Sequence, residues 1–437
     1  MRRKITHEEN GGIMIILRLI LIPFILLAGC FLFVTNALPD EKAQNESLGK
    51  LIAEALENNL QIAAVYNEWK AAEYKISSER SLPDPEARYS RFGEEVQTRV
   101  GPQENKYGAS VKVPFPAKLI YRGKAQSARA DMLGEKYESI KREVIRNVKF
   151  IYYDIFWVDK AIQVTEEEKS ILESLEKVAR RRYESNLSSQ QDVVKIQVEL
   201  SKLVDKLLIL SKNRKSLESK LNVLLNRREK TLVAKVSGVE PAIFKYSIEE
   251  LRKMSKDKNQ DLLAAGIDIE KAEYEKTLAR MEYFPDFNFG FDYIQVGSGY
   301  TMSPDDGQDA WMATVSITLP IWFGKNNARI NEKESLLEAS KNKFESAKSR
   351  VVNEIEDFYY KIRTNREIVT LYKTALIPQT QQSFETSKAA YESGKADFLD
   401  WLDSERVLLQ TRLAYYKSIV DYMKAIAYLE RIVGEDL

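Results

Sequence analysis

The 437-residue chain carries 66 Lys+Arg against 65 Asp+Glu. A net charge of +1 lacks the basic excess by which a protein holds nucleic-acid phosphates. One Cys (Cys30) and one His (His7) both lie near the N-terminus, which leaves the rest without a disulfide, thiolate nucleophile, imidazole base or His/Cys metal site. Serine-triad and His-ligated zinc chemistry are thereby excluded, while carboxylate-only chemistry survives.

Arg2, Arg3 and Lys4 precede an apolar run from Leu19 to Val34, interrupted only by Pro23, Gly29 and Cys30. A basic segment, an apolar segment and then small residues predict a secretory signal over residues 1–37. The run falls short of the roughly 20 residues that a spanning helix needs, which argues against an uncleaved anchor. Two processing routes stay open. Thr35-Asn36-Ala37 suits signal peptidase, whereas Leu27-Ala28-Gly29-Cys30 matches a lipobox whose Cys30 becomes the acylated N-terminus. The apolar Phe31-Leu32-Phe33-Val34 after Cys30 speaks against the lipobox. Met14 is an alternative start to Met1.

The remaining sequence repeats itself. Leu82-Pro83-Asp84-Pro85 recurs as Phe284-Pro285-Asp286-Phe287, and Val113-Pro114-Phe115-Pro116 as Leu319-Pro320-Ile321-Trp322. Tyr152-Tyr153 recurs as Tyr359-Tyr360, Tyr183-Glu184-Ser185 as Tyr391-Glu392-Ser393, and Asp192 as Asp400. The matches keep their order, so the chain is expected to hold two copies of one long unit. They span residues 47–228 and 247–433, with a connector over 229–246. Each unit reads as helix, two strands and two long helices.

The first helix is expected to run unbroken from Leu48 to Ser78 and to end before Pro83 and Pro85. From Ala117 to about Tyr183 there is no proline, which predicts a helix on the order of 100 Å long. Val144, Val148, Ile151, Ile155, Val158 and Ile162 alternate spacings of four and three. Ile196, Leu200, Leu203, Leu207, Leu210, Leu217, Leu221 and Leu224 do the same, with Arg214 intruding. In the second unit Leu402, Leu409, Leu413, Tyr416, Val420 and Met423 continue the pattern, with Arg406 intruding. This is a heptad seam, which lets helices supercoil. Polar turns at 184–190 and 392–396 make each unit end in an antiparallel helical hairpin.

Four strands are expected between the helices. Trp311 to Leu319, Phe287 to Tyr293 and Tyr107 to Phe115 alternate apolar and polar residues, and the fourth, Glu86 to Phe92, is polar. Gly93 to Lys106 and Gly297 to Asp309 read as connecting loops. Strands of about 10 residues suit a tilted membrane crossing. An open sheet in lipid leaves edge N–H and C=O groups unsatisfied. Four strands are too few to close a barrel, so membrane strands require oligomerisation.

These features together, and above all the segment Tyr391-Glu392-Ser393-Gly394-Lys395-Ala396-Asp397-Phe398-Leu399-Asp400-Trp401-Leu402-Asp403, resemble the TolC-like outer-membrane efflux protein family. The likeness covers essentially all of the chain after the signal. Asn186 stands where the repeat has Gly394, a mild departure because Asn tolerates a left-handed turn. Leu82-Pro83-Asp84-Pro85 and Pro114 to Leu119 look more like the heavy-metal-efflux branch, the CzcC-like and CusC-like proteins. The resemblance implies a mainly α protein with a small β part: a homotrimer whose four strands per protomer make a twelve-stranded β-barrel above an α-barrel in the periplasm. It implies a passive duct with no cofactor, placed in outer-membrane lipid, working with a periplasmic adaptor and a resistance-type or ABC inner-membrane pump.

The resemblance places Asp400 and Asp403 at the periplasmic aperture. It places adaptor docking at Ser185, Asn186, Leu187 and Ser188 and at Ser393, Gly394, Lys395 and Ala396. Read from sequence alone, the two aspartates are more readily a solvated face or helix-start pair than an aperture, and the tips are plain turns. Met302, Met312 and Met423 are scattered and read as filler. The alternatives to a small-solute duct are a duct for type I protein secretion and, in a different class, an exported structural coiled coil. The coiled coil leaves the amphipathic strands unexplained. A carboxylate-based hydrolase needs paired acids in a pocket, which long helices without loops do not offer.

Overall fold

The computed structural model describes residues 47–437 apart from 230 and 237. The signal sequence, both cleavage readings and Cys30 lie outside the described residues.

Ser47 caps α1 (Leu48–Asn58), and a second helix, α2 (Leu60–Arg80), follows without a loop. The unbroken helix expected from Leu48 to Ser78 is therefore corrected: it breaks at Asn59. Asn59 takes extended backbone, and its Oδ1 accepts from the amides of Gln61 at 3.0 Å and Ile62 at 3.2 Å, so it caps α2. Its Nδ2 donates to the Leu224 carbonyl at 2.9 Å. The same device recurs in the second unit. There α5 (Ile248–Lys258) and α6 (Gln260–Met281) are split by Asn259, which caps the Leu262 amide at 2.8 Å and donates to the Ile432 carbonyl at 2.6 Å. Each Asn satisfies donors at the start of one helix and an acceptor near the end of another.

The strands are β1 (Glu86–Thr98), β2 (Gly101–Val113), β3 (Phe287–Val296) and β4 (Ala310–Ile317). They form one antiparallel sheet in the order β1-β2-β3-β4. The loop expected over Gly93 to Lys106 is corrected, because most of it is strand and the turn is confined to Arg99 and Val100. Gly101, at φ +124°, makes that turn possible; a Cβ there would lie 2.1 Å from the Gly297 carbonyl oxygen. The longer connection over Gly297 to Asp309 is irregular, as expected.

After Phe115 the chain enters α3 (Pro116–Glu184), whose 69 residues extend about 100 Å. Pro116 at its first position needs no amide partner. The hairpin returns as α4 (Gln190–Leu224). In the second unit α7 (Phe323–Leu371) passes through a π-turn at Tyr372–Leu376 into α8 (Ile377–Glu392), and α9 (Phe398–Val433) returns. The path from 323 to 392 is one residue longer than α3, and a π-turn is the form in which a helix absorbs one extra residue. Pro378, just beyond it, cannot donate backward, and the widened turn accommodates its ring.

Helices α2, α3, α6 and α7 lie side by side in that order, matching the strands they feed, while α4 and α9 pack along α3 farther from the sheet, their last turns meeting the starts of α2 and α6 at Asn59 and Asn259. A mid-length core joins Leu51, Val148, Ile155, Leu221, Leu251, Ile355, Val420 and Val433. A second cluster toward the hairpin turns contains Leu172, Ile196, Phe398, Trp401 and Leu402. Most heptad positions are buried, and both intruders are explained. Arg214 is buried with Asp159, Nε to Oδ1 at 2.8 Å, and Arg406 pairs with Glu199 on the neighbouring hairpin. No helix among the described residues is long and apolar enough to cross a membrane.

Candidate functional site

The sheet end comes first. Register places Ala87, Tyr89, Tyr107, Ala109, Val111, Val113, Phe287, Phe289, Phe291, Tyr293, Trp311, Ala313, Val315 and Ile317 on one face. Within the protomer this apolar face is uncovered: Phe291 is 50% exposed, Val315 68% and Trp311 69%. The other face carries Lys106 paired with Asp292 at 3.3 Å and Lys112 with Asp286 at 3.7 Å. Salt bridges on one face and bare aromatics on the other suit a wall with water inside and lipid outside. Neither outer edge of the sheet, on β1 or β4, has a strand beside it among the described residues. Every residue of β4 is exposed.

At the opposite end the two helical hairpins close with the same turn. The Asn186 amide donates to the Tyr183 carbonyl at 2.9 Å and the Leu187 amide to Arg182 at 2.7 Å; the Gly394 and Lys395 amides bond Tyr391 and Ala390 at 3.0 and 2.8 Å. Asn186 sits at φ 57° and Gly394 at φ 73°, so Asn fills the left-handed position that the repeat gives to glycine. Ser185, Asn186, Leu187, Ser393, Gly394 and Lys395 are exposed; Ser188 and Ala396 are half-buried.

The two turns are tied together by Arg182, which sequence reasoning missed. Its Nη1 donates to the Tyr391 carbonyl at 2.9 Å, and its guanidinium lies 4.9 Å from the centre of the Tyr391 ring. Beside this tie, the first turns of α4 and α9 enclose a groove of about 360 Å³, with Val194, Val198, Leu399 and Leu402 as apolar walls and Arg406 with Glu199 at its rim. Asp400 accepts from the Asp397 amide at 3.4 Å and so helps to start α9. Both Asp400 and Asp403 are exposed. The helix-start reading of Asp400 therefore has a visible contact. Among the described residues no cluster of His, Cys, Asp and Glu is arranged to hold a metal ion.

Long hairpins below an amphipathic sheet with open edges define an outer-membrane channel subunit. The outer membrane efflux protein family matches residues 51–227 and 251–435. The chain belongs to that family, and as such it is a passive channel and not an enzyme. Over 396 residues it is 18% identical to the cobalt-zinc-cadmium resistance protein CzcC of Cupriavidus metallidurans, covering 91% of this chain and 92% of that one. Its fold is similar to CusC, a transmembrane channel (TM-score 0.76, 16% identity, 89% and 92% covered). It is also similar to the outer membrane protein VceC of Vibrio cholerae (TM-score 0.74, 16% identity, 89% and 96% covered).

Proposed function

We propose that the protein is the exit duct of a tripartite efflux system, a homotrimer that passes small solutes, heavy-metal cations among them, out of the periplasm. The uncovered apolar face of a sheet with two open edges carries this reading. Three copies supply twelve strands, enough to close a barrel and satisfy every edge amide. The two repeats, residues 47–228 and 247–433, then line the periplasmic tube with quasi-equivalent hairpins. The likeness to CzcC supports metal cations as cargo. An adaptor docks at the turns 185–188 and 393–396, where the groove between α4 and α9 offers apolar walls to a helix, and an inner-membrane pump supplies energy. Cross-linking in mild detergent is expected to give a trimer; a clean monomer with intact β-signal excludes the duct.

In the same reading Asp400 and Asp403 of three chains converge at the narrow end. A ring of carboxylates in a confined opening attracts cations. The double variant Asp400→Asn/Asp403→Asn is expected to trimerise yet lose cation preference, read as the reversal potential in a planar bilayer under a salt gradient. An unchanged potential puts both residues on the solvated outer face.

A further inference from the structure

A cavity of about 390 Å³ lies just beyond the strands and takes lining from α2, α3, α6 and α7 alike. Four helices laid in a row can all reach one cavity only on the side toward which the row curves. Two contacts join that side to the polar face of the sheet. Asp286 pairs with Lys112 of that face and with Lys118 at 2.8 Å, and Lys118 pairs with Glu282, which lines the cavity. Ile120, 55% exposed, stands two residues from Arg122 and so on the opposite side of α3. The cavity thus opens toward the water side, away from the apolar flank.

Six cationic side chains line the cavity against three carboxylates. Each carboxylate is already matched: Glu79 by Lys75 at 3.6 Å, Glu275 by Lys333 at 2.9 Å and Glu282 by Lys118 at 3.9 Å. Lys271 is held by Asp268 at 2.5 Å. What remains is Arg122, Arg129 and Arg329, none of which has an ion-pair or hydrogen-bond partner among the described residues. The duplication sets two of them: Arg122 and Arg329 each stand six residues after the first residue of their helix, Pro116 and Phe323.

We propose that this cavity is an oxyanion-binding station for phosphate- or sulfate-like solutes, with Arg122, Arg129 and Arg329 as its ligands. Three guanidiniums with free planar donors on one concave wall offer the paired N–H geometry that such oxygens accept. The low-dielectric wall behind them strengthens the attraction. Only its place inside a duct rests on the channel reading; binding itself does not. In that reading the duct holds carboxylates at its narrow end and arginines beneath the barrel, and solutes of both signs meet a complementary wall.

The test is calorimetric titration of the detergent-purified full chain with inorganic phosphate in low salt. Saturable binding of one phosphate per protomer is expected, weakened at least tenfold in Arg122→Gln/Arg129→Gln/Arg329→Gln. The equal charge removal Lys136→Gln/Lys348→Gln/Lys361→Gln, outside the cavity, is expected to leave binding unchanged. If the triple arginine variant does not fold, Arg122→Gln and Arg329→Gln singly are each expected to weaken binding about threefold. Absence of saturable binding, or equal loss in the lysine control, overturns the site. Displacement of phosphate by phosphatidylglycerol doped into the micelles overturns the solute assignment in favour of a lipid headgroup. A wild-type protein that binds phosphate but conducts nothing in a planar bilayer overturns the duct and leaves the site standing.

Discussion

Replacing Arg214 by alanine is expected to release the segment after α4, residues 233–236, and to destabilise the middle of the molecule by about 3–5 kcal/mol. Arg214 sits in a leucine seam where a heptad calls for an apolar side chain. Its Nε meets Asp159 at 2.8 Å, and its Nη2 donates to the carbonyls of Val233 and Ala234, both at 3.1 Å. Asp159 in turn accepts from the Val236 amide at 3.0 Å. One ion pair therefore joins α3, α4 and the connector. Arg214 and Asp159 are about nine-tenths buried, and Nη1 of the arginine also meets Glu218 at 2.8 Å, so deleting the arginine leaves two carboxylates without their counter-charge and two carbonyls without a donor. Native-state hydrogen exchange at Val236 is expected to accelerate by about two orders of magnitude or more. The double variant Arg214→Met/Asp159→Asn, which removes both charges and keeps an acceptor for the Val236 amide, is expected to recover part of the loss. If the single variant exchanges like wild type, the pair does not hold the connector.

Local pattern made much of this architecture legible. Alternation in Phe287 to Tyr293 and Trp311 to Leu319 predicted β3 and β4 and the face they share, because strand periodicity needs no partner to be read. The turns at Asn186 and Gly394 were readable because left-handed backbone restricts residue choice. Asn59 and Asn259 were not, since both stand within helix-forming sequence and their reason lies elsewhere in space, at the carbonyls of Leu224 and Ile432. The second half of β1 reads as loop in the sequence because Gly93 to Thr98 is mostly polar. Its strand character comes from pairing with β2, as at Val96 opposite Gln103, and not from its own pattern.

Of the tip, sequence supplied the positions but not the fastenings. Arg182 lies more than 200 residues from the Tyr391 carbonyl it bonds, and Arg406 is equally remote from Glu199. Each looks like an ordinary charge on a helix until the hairpins are laid together. The three cavity arginines are inconspicuous in the sequence for a related reason. They stand out only once every nearby carboxylate is seen to have taken a lysine.

Between pH 5 and pH 8 the helical tip is expected to lose about 2.5 kcal/mol of stability per protomer, and a single carboxyl accounts for it. Glu405 on α9 is 2% exposed, and its Oε1 has no hydrogen-bond partner. Burial pushes its carboxyl up from the usual 4.5 to about 7, with Arg406 opposing the shift. That opposition is weak because Arg406 is committed to Glu199 on α4. The sign follows from proton counting. Between about 4.5 and 7 the folded protein keeps a proton that the unfolded chain has released, so stability falls as pH rises through this window and levels off above it. Glu405→Gln is neutral at every pH and keeps the size of the side chain. It is expected to abolish the slope and to leave the tip more stable than wild type at pH 8. The measurement is hydrogen exchange, corrected for intrinsic rates, across residues 402–409 from pH 5 to pH 8. A wild-type profile as flat as that of the glutamine variant means that Glu405 is charged throughout and has found a partner, and the tip then has no built-in response to pH.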